Sequence, residues 1–474
     1  MSTFNSHPSI PGPWLPFISP RLVHLIMFKT PFACASLRYL HDTYGNIVAL
    51  VHGDASIVFV FGSTLNFYVL THPKLFLTEW AELSLLQEEL QGTALGRLMI
   101  HRFKLNGEHY QNERRIMQNF FHKQQVVHYY NNAVFATKQT LNHWREQSRV
   151  DIYQQMRHLV HRIRMNVFLG NANEADFRPI GALLAQTIPI LPHRAGNARV
   201  NLPGSSYYQA LRLSEKLEGA LHDFIVQKRN DPGLDPTGML AILMNLQYEN
   251  GERLSDEELV GHMFNLFDAG YENSVTALTW AIFLLSQHPQ VCLDLLEELN
   301  GTFHDSFPTQ EQLACLPLLD GIVKESLRLF SPFIVNLRIT STSCNLGGFS
   351  LPKGAMVFYS PLITHRSPAL YEEPHRFKPE RWTNLEHSPY EYLPFGAGQR
   401  RCIGTEFVIQ EMKVVLALVF KRYRLMTVPH SKIVPDSSMK PLYGIPMYLF
   451  PQDRQFQRVP VRGTINQLVD LTGA

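Results

Sequence analysis

Phe395-Gly-Ala-Gly-Gln-Arg-Arg-Cys-Ile-Gly404 is the stretch of sequence that decides the fold. It contains Gly396 and Gly398, within a part of the chain that shows little hydrophobic periodicity. Glycine adopts positive φ without steric penalty and lets the backbone approach a flat surface closely. The stretch therefore predicts a shaped loop in front of a helix, which we expect at about residues 404–421.

Cys402 lies just before this predicted helix. Free backbone N–H groups and the helix dipole stabilise a thiolate at such a position. Arg400 and Arg401 add positive charge, and Phe395 is placed to shield the sulfur from water. An iron-bound thiolate needs a sulfur that is anionic, hydrogen-bonded and dry. The alternative is a glycine-rich turn around a passive buried cysteine, and the length and residue combination of the loop favour the iron ligand.

A long helix is predicted from the capping box Ser255-Asp-Glu-Glu258, in which the Ser hydroxyl and the Glu carboxylate bond free N–H groups. The helix runs to about Gln287, because His288-Pro289 stops it. That is roughly 48 Å at about 1.5 Å per residue. Apolar residues lie on several faces, so we expect a buried helix that crosses the protein.

The middle of this helix, Ala269-Gly-Tyr-Glu-Asn-Ser274, breaks two local rules. Gly270 destabilises a helix by about 1 kcal/mol relative to Ala. A buried Glu272 is unfavourable unless it is paired or proton-coupled. One interpretation is that a flat ligand approaches the backbone at Ala269 and Gly270 while Glu272 handles protons. The other is a packing glycine beside a partly exposed Glu, which this segment alone favours.

The amino-acid composition restricts which classes of protein are possible. The chain has 474 residues with 45% hydrophobic and 18% charged residues, as in a globular enzyme, and its length alone favours two or three domains. A net charge of +2 gives no global attraction to nucleic acid. The five cysteines include no Cys-x-x-Cys pair, which argues for a reducing compartment and against a structural zinc site.

The N-terminal segment has neither a signal-peptide pattern nor a run of 18 apolar residues. Prolines and charged residues interrupt its most apolar part, residues 14–28. These features predict a cytoplasmic protein without a transmembrane anchor, and they leave peripheral membrane contact open.

The rest of the chain divides by pattern. Two β-rich runs, at residues 47–51 and 57–61, predict a hairpin. Residues 107–320 are mostly helical in pattern, with a Pro- and Gly-containing loop at 189–206. Residues 367–400 hold five prolines and little periodicity, and a loop this long in a compact protein is usually functional.

At the cysteine loop the sequence resembles the cytochrome P450 family, whose pattern there is Phe-x-x-Gly-x-Arg-x-Cys-x-Gly. The fixed positions are matched by Phe395, Gly398, Arg400, Cys402 and Gly404. The family's Glu-x-x-Arg pair is matched by Glu325 and Arg328, which alone would be an ordinary helical ion pair. Its Pro-Glu-Arg segment is matched at Arg381, which joins that pair in a bracing network in the family. The markers occur in the family's order over nearly the whole chain.

The resemblance implies a mainly α (α+β) fold, a triangular helical prism with a smaller β-rich lobe. It implies one domain over residues 1–474. The β-rich lobe would comprise about 40–75 and 337–360, and the helical lobe with the haem site about 107–330 and 390–425. The implied cofactor is haem b, held between the long helix and the helix after Cys402, which ligates the iron.

Residues near the haem also follow from the resemblance. Propionate partners are expected at Arg400, Arg338 and Arg114. The family usually has Trp or His four residues before the last of these, and this chain has Tyr110, which can still donate a hydrogen bond. Backbone or side-chain contacts with the haem are expected from the cysteine loop and the long helix, at Phe395, Gly396, Gly398, Gly404, Ala269 and Gly270.

The implied activity is insertion of one oxygen atom from O2 into an organic substrate. In the family an acid and a Thr on the long helix help to deliver protons. Here Glu272 matches the acid, Asn273 replaces the Thr and Ser274 matches the next residue. An amide hydrogen-bonds but is not an acid. Normal O2 activation through a water held by Asn273 is favoured. A peroxygenase, an isomerase or dehydratase, and a non-enzymatic haem gas sensor or carrier remain alternatives.

The sequence says less about the organic substrate and about the electron donor. In the family, loops at about 76–102 and 185–208, the segment after the Glu-x-x-Arg helix and a turn near the C-terminus shape the substrate pocket. Here the last two correspond to residues 332–337 and 442–447, which are mostly apolar and favour a lipophilic substrate. Electrons would come from a separate ferredoxin or flavodoxin-type donor at a basic face that includes Arg401. A monomer is expected.

Overall fold

The computed structural model describes most of the chain. The described residues are 9–14, 33–78, 89–99, 106–121, 123–169, 174–191, 200–231, 233, 235–236, 238–247, 251–303 and 308–471. Parts of two predicted substrate loops, 79–88 and 192–199, therefore lie outside the described residues.

Helices form most of the structure. In chain order they are α1 (Ala33–Tyr44), α2 (Ser63–Thr71), α3 (Ala94–Leu98), α4 (Gly107–Gln118), α5 (Lys123–Asn142), α6 (Ile152–Leu169), α7 (Glu174–Thr187), α8 (Ser206–Arg229), α9 (Met239–Asn245), α10 (Asp256–Gln287), α11 (Pro289–Thr302), α12 (Gln310–Ala314), α13 (Pro317–Leu329), α14 (Pro361–Thr364) and α15 (Thr405–Arg422). None of the helices in the described part of the chain combines the length and hydrophobicity needed to cross a bilayer.

The long helix α10 begins and ends as the sequence predicts. Its capping box is formed, because the Ser255 hydroxyl accepts from the Glu258 N–H at 3.2 Å and the Glu258 carboxylate accepts from the Ser255 N–H at 2.9 Å. The helix has 32 residues, and most of those after Leu259 are buried. It packs against α6, α13 and α15, so it forms the centre of the helical region.

Strands form three small sheets. They are β1 (Ile47–Ala49), β2 (Ile57–Val60), β3 (Phe76–Leu77), β4 (Arg149–Asp151), β5 (Asn336–Thr340), β6 (Cys344–Leu346), β7 (Phe349–Leu351), β8 (Met356–Tyr359), β9 (Tyr423–Thr427) and β10 (Pro446–Pro451). The predicted hairpin is confirmed, with Ile47 opposite Val60. It belongs to a sheet of order β1-β2-β8-β5-β3 that has its own apolar core.

A second sheet was not expected. Its order is β4-β10-β9, and it pairs Pro446 with Asp151 across nearly 300 residues of sequence. Three-residue strands such as β4 carry no recognisable alternation, so local patterns do not identify them.

Residues 452–471 are packed although their polar composition predicts no element. The Arg366 guanidinium donates to the Leu468 carbonyl oxygen at 3.3 Å, and the Asp470 N–H donates to the His375 carbonyl oxygen at 2.8 Å. The side chain of Leu468 is buried. This segment therefore closes over the region that follows the Glu-x-x-Arg helix.

A buried ion network joins α13 to the proline-rich segment. The Glu325 carboxylate accepts from Arg328 at 2.7 and 2.8 Å, from Arg381 at 3.0 Å and from the Trp382 indole N–H at 2.9 Å. Glu325 and Arg328 are completely buried. Burial alone would raise the pKa of Glu325, but the charges of Arg328 and Arg381 outweigh it and hold that pKa below its usual value.

Arg328 also bonds the backbone of the segment that leads to the cysteine loop. Its guanidinium donates to the carbonyl oxygens of His365 and Pro374, each at 2.7 Å, and of Arg376 at 3.1 Å. The His365 ring in turn accepts from the Leu393 N–H at 2.7 Å. A segment with little regular secondary structure is thus fixed by hydrogen bonds from one cation.

Replacing Glu325 by Ala should lower the free energy of unfolding by about 3–5 kcal/mol, because Arg328 would remain buried without its anion. Since the folded-state pKa of Glu325 is lowered, its contribution is complete at neutral pH and is lost as the pH falls through that pKa. Urea denaturation at pH 7 measures the effect. Glu373→Ala is the matched control, because it removes a partly exposed carboxylate that pairs with Arg376 and Lys378. Equal losses in the two variants would contradict the prediction.

Candidate active site

The cysteine loop takes the shape that its glycines allow. Gly396 and Gly398 have φ of 66° and 67°, in the left-handed region. A Cβ on Gly398 would lie 2.5 Å from the carbonyl oxygen of Leu70 in α2, so this position also requires glycine for space. The Cys402 N–H donates to the Phe395 carbonyl oxygen at 2.8 Å and closes the loop.

Cys402 is exposed on one side while protein atoms crowd the rest of its thiol. Burial raises the pKa of the Cys402 thiol, and the Gly404 N–H and the charge of Arg114 only partly oppose it. Coordination to a metal ion deprotonates such a thiol outright.

A cavity of about 260 Å³ opens beside this cysteine. It is lined by residues of α4, of the segment after it, of the cysteine loop and of α15, namely Arg114, Gln118, Phe121, Arg401, Cys402, Ile403, Thr405 and Glu406. The lining mixes apolar side chains with two arginines and one carboxylate. The cysteine is thus accessible from a concave, partly basic surface.

Arg114, Arg338 and Arg400, which we call the arginine cluster, lie close together. The Arg114 guanidinium donates to the Tyr110 hydroxyl at 3.2 Å, and that of Arg400 stacks 3.3 Å from the centre of the Tyr110 ring. Burial lowers the pKa of Arg400, and the like charges of Arg338 and Arg114 lower it further. Tyr110 therefore supports two of the three cations.

The arginine cluster fits an anionic ligand. Within the described residues, none of its three guanidinium groups forms an ion pair with a carboxylate, whereas the buried arginines 164, 328 and 381 each do. Buried Arg366 has backbone carbonyl oxygens as its partners instead. A buried cation without an anion is unfavourable. The two propionates of haem b would neutralise the cluster, with the Cys402 sulfur available for the iron.

The three residues predicted for proton delivery point in different directions, since successive helix residues are about 100° apart. The Glu272 carboxylate binds the Lys440 ammonium at 2.9 Å and the Tyr153 hydroxyl at 3.1 Å. The buried Ser274 hydroxyl donates to the Glu411 carboxylate at 2.8 Å. Of the three, Asn273 is the one that is partly exposed.

Asn273 shares its helix face with Ala269. The Asn273 side-chain N–H donates to the Ala269 carbonyl oxygen at 2.9 Å. Ala269 is exposed although it lies in the middle of a buried helix, so an open space borders this face. These two residues, and neither Glu272 nor Ser274, are the ones that a ligand in this space would meet.

Gly270 has a different neighbour. A Cβ there would lie 3.1 Å from Nε of Arg164, whose guanidinium donates to the Gly270 carbonyl oxygen at 3.2 Å and to the Ser274 hydroxyl at 2.7 Å. Gly270 thus packs against Arg164, as the packing interpretation expects, whereas Glu272 beside it is buried and not partly exposed as that interpretation also expects. Arg164, Glu411 and Lys440 were not identified from the sequence. A buried Glu in the apolar helix α15 was the available signal for Glu411.

The apolar segments expected near substrate are partly exposed. Phe333 is 42% exposed, and Leu442 and Tyr443 are 46% and 62% exposed, while the neighbouring Ile445 is buried. Each of the two segments thus presents at least one large apolar side chain at the surface.

Comparison with known proteins covers nearly the whole chain. A family model described as Cytochrome P450 matches residues 11–448. The cyclooctat-9-en-7-ol 5-monooxygenase of Streptomyces melanosporofaciens is 28% identical over 333 residues, which are 68% of this chain and 72% of that protein. A Mycobacterium tuberculosis protein described as putative cytochrome P450 136 is 31% identical over 368 residues, 73% of this chain and 72% of its own length.

Solved structures share the fold. The retinoic acid-bound cyanobacterial CYP120A1 gives a TM-score of 0.78 at 25% identity and covers 94% of this chain and 100% of its own. The haem domain of cytochrome P450DA gives a TM-score of 0.80 at 20% identity. The mainly α fold with small sheets is therefore confirmed.

The two glycines of the cysteine loop should respond differently to alanine. In both variants the alanine would have to adopt a positive φ, which lowers the stability of the folded protein by about 1–2 kcal/mol. Gly398→Ala adds the clash with the Leu70 carbonyl, whereas at Gly396 the nearest atom to a Cβ is 3.9 Å away. Gly398→Ala should therefore lower the free energy of unfolding by clearly more than Gly396→Ala in urea titrations. Equal losses would show that the contact with α2 does not constrain the loop.

Proposed function

Because the chain belongs to the cytochrome P450 family and so has haem b as its cofactor, we propose that it is a monooxygenase that inserts one oxygen atom from O2 into a lipophilic substrate. The observation that carries this proposal is the arginine cluster beside an accessible Cys402.

The cofactor would be held by two sets of side chains. Cys402 would supply the sulfur ligand, and Arg114, Arg338 and Arg400 would bind the propionates, with Tyr110 behind two of them. When bound, haem supplies the binding and reductive activation of O2. The protein contributes orientation, water exclusion and proton transfer.

Proton transfer at the open face would depend on Asn273. Among the described residues its amide oxygen accepts no hydrogen bond while its N–H donates to Ala269, so it can orient a water molecule in that space. Glu272 is bound to Lys440 and Tyr153 on another side of the helix, and Lys440 is partly exposed. We propose that Glu272 exchanges protons with solvent on that side and reaches the open face only through water.

The proposed substrate is lipophilic. Phe333 and Leu442 present apolar surface of the kind that binds such molecules. The relative from Streptomyces melanosporofaciens is named for cyclooctat-9-en-7-ol, and a Glycyrrhiza uralensis relative is named a beta-amyrin 11-oxidase. The solved cyanobacterial relative holds retinoic acid. A compound with a large hydrocarbon skeleton is the class to screen first.

The dithionite-reduced protein should give a strongly red-shifted Soret band with carbon monoxide, because a thiolate ligates the iron. Cys402→Ser should abolish that band, and Cys315→Ser, which changes another exposed cysteine, should leave it unchanged.

Turnover of the wild-type protein with a surrogate ferredoxin and its reductase under isotopically labelled O2 should give labelled product. Product with peroxide only would indicate a peroxygenase. Unlabelled rearranged product would indicate an isomerase, and haem without turnover a gas sensor.

We also propose that the concave surface beside Cys402 receives an acidic ferredoxin or flavodoxin. Arg401 is exposed there and Arg114 lines the same cavity. Opposite charges speed encounter at low salt. Arg401→Glu should slow haem reduction by the donor at low ionic strength, measured by stopped flow. Lys353→Glu, in the turn between β7 and β8, is the control. Equal rates for both variants would contradict this docking surface.

A further inference from the structure

Arg164 of α6, Ser274 of α10 and Glu411 of α15 meet in a buried group that we name the three-helix clamp. Arg164 donates to both Glu411 carboxylate oxygens at 2.9 Å, and to the Ser274 hydroxyl at 2.7 Å. That hydroxyl donates to Glu411 at 2.8 Å. The three residues are only 3%, 1% and 1% exposed. Each member therefore bonds both of the others.

The three-helix clamp extends to the backbone of α10. Arg164 also donates to the Gly270 carbonyl oxygen at 3.2 Å and stacks 4.5 Å from the centre of the Phe407 ring. Two parallel N–H···O bonds between guanidinium and carboxylate restrict geometry strongly, and a low dielectric strengthens them. The turn between Gly270 and Ser274 is thus held from outside the helix at both of its ends.

The location of the three-helix clamp in the fold is more important for function than its contribution to stability. Thr405 begins α15 three residues after Cys402, and Glu411 lies on that same helix. Asn273 lies between the two clamped residues of α10, on the face that borders the open space. The three-helix clamp therefore joins the helix that begins just after Cys402 to the turn of α10 that contains Asn273.

We propose that Arg164, Ser274 and Glu411 are positioning residues that fix the turn at residues 270–274 relative to the cysteine helix and so hold Asn273 in register with the haem. This inference rests on the proposed function, because Asn273 matters only at an oxygen-activating site. Small displacements of a positioned group reduce catalysis strongly. The clamp acts through Asn273 and touches no substrate.

Ser274→Ala tests the proposal with little risk to folding, since the bidentate pair between Arg164 and Glu411 remains. Hydrogen exchange of the amides at 270–277 should accelerate about tenfold in the haem-loaded, full-length variant. With a surrogate ferredoxin and its reductase, more of the electrons consumed should appear as hydrogen peroxide. The carbon monoxide band of the reduced protein should stay unchanged. A purely structural role would not move the peroxide fraction.

Two variants serve as controls. Ser274→Thr keeps a hydroxyl and should restore both the exchange rates and the peroxide fraction toward wild type. Ser286→Ala removes another buried hydroxyl of α10, which bonds the Phe283 carbonyl oxygen and Thr427 far along the helix. It should leave exchange at 270–277 and the peroxide fraction unchanged.

A double variant, Arg164→Met with Glu411→Met, removes the charges together. Replacing both partners of a buried ion pair by apolar residues is often neutral for stability, whereas removing one is not. The double variant should therefore fold and bind haem, yet show faster exchange at 270–277 and a higher peroxide fraction than wild type.

The outcomes separate the two proposals. If Ser274→Ala and the double variant match Ser286→Ala in exchange and in peroxide, the positioning role is wrong. If exchange rises while the peroxide fraction does not, the clamp is structural only and the positioning role is likewise wrong. If wild type shows no thiolate band or no oxygen insertion, the proposed function fails, and exchange at 270–277 alone still decides whether the clamp holds the turn.

Discussion

A buried guanidinium needs acceptors for its N–H groups and its charge, and this constraint organises the molecule. Arg328 meets it through Glu325 and thereby anchors the proline-rich segment that carries the cysteine loop. Arg164 meets it through Glu411 and thereby ties three helices together. The arginine cluster has no carboxylate partner among the described residues, and unlike Arg366, which bonds backbone carbonyl oxygens, it brings three cations together beside the accessible Cys402. Fold and cofactor site thus follow from the same electrostatic requirement.

Local signals in the sequence predicted local structure well. The capping box and the His288-Pro289 stop gave both ends of α10, and the β-rich runs gave the hairpin of β1 and β2. The sheet that pairs β4 with β10 was missed, because its partners are distant in sequence and β4 has only three residues. Long-range pairing of short strands leaves no periodic trace in the sequence.

The site was predicted less completely than the fold. The family pattern predicts Cys402 as the iron ligand, which stays a prediction, and it treated Glu272, Asn273 and Ser274 as one group. Helical geometry sends these three side chains to three different surroundings, and the pattern carries no information about which partner each one finds. Ser274 proves to be bonded to Arg164 and Glu411. That arrangement depends on the packing of three helices, which spacing along one helix does not reveal.

The segment at 452–471 has a consequence for how the chain is made. Arg366 bonds a carbonyl oxygen that lies 102 residues further along the chain, and Asp470 bonds the backbone beside Arg376, whose own carbonyl accepts from Arg328. Protein chains are synthesised from the N-terminus, and packing normally proceeds in the same direction. Here the region around Arg366 reaches its final packing only after residue 468 has left the ribosome. The packing around Arg366 is therefore completed only after synthesis of a segment about a hundred residues further along the chain.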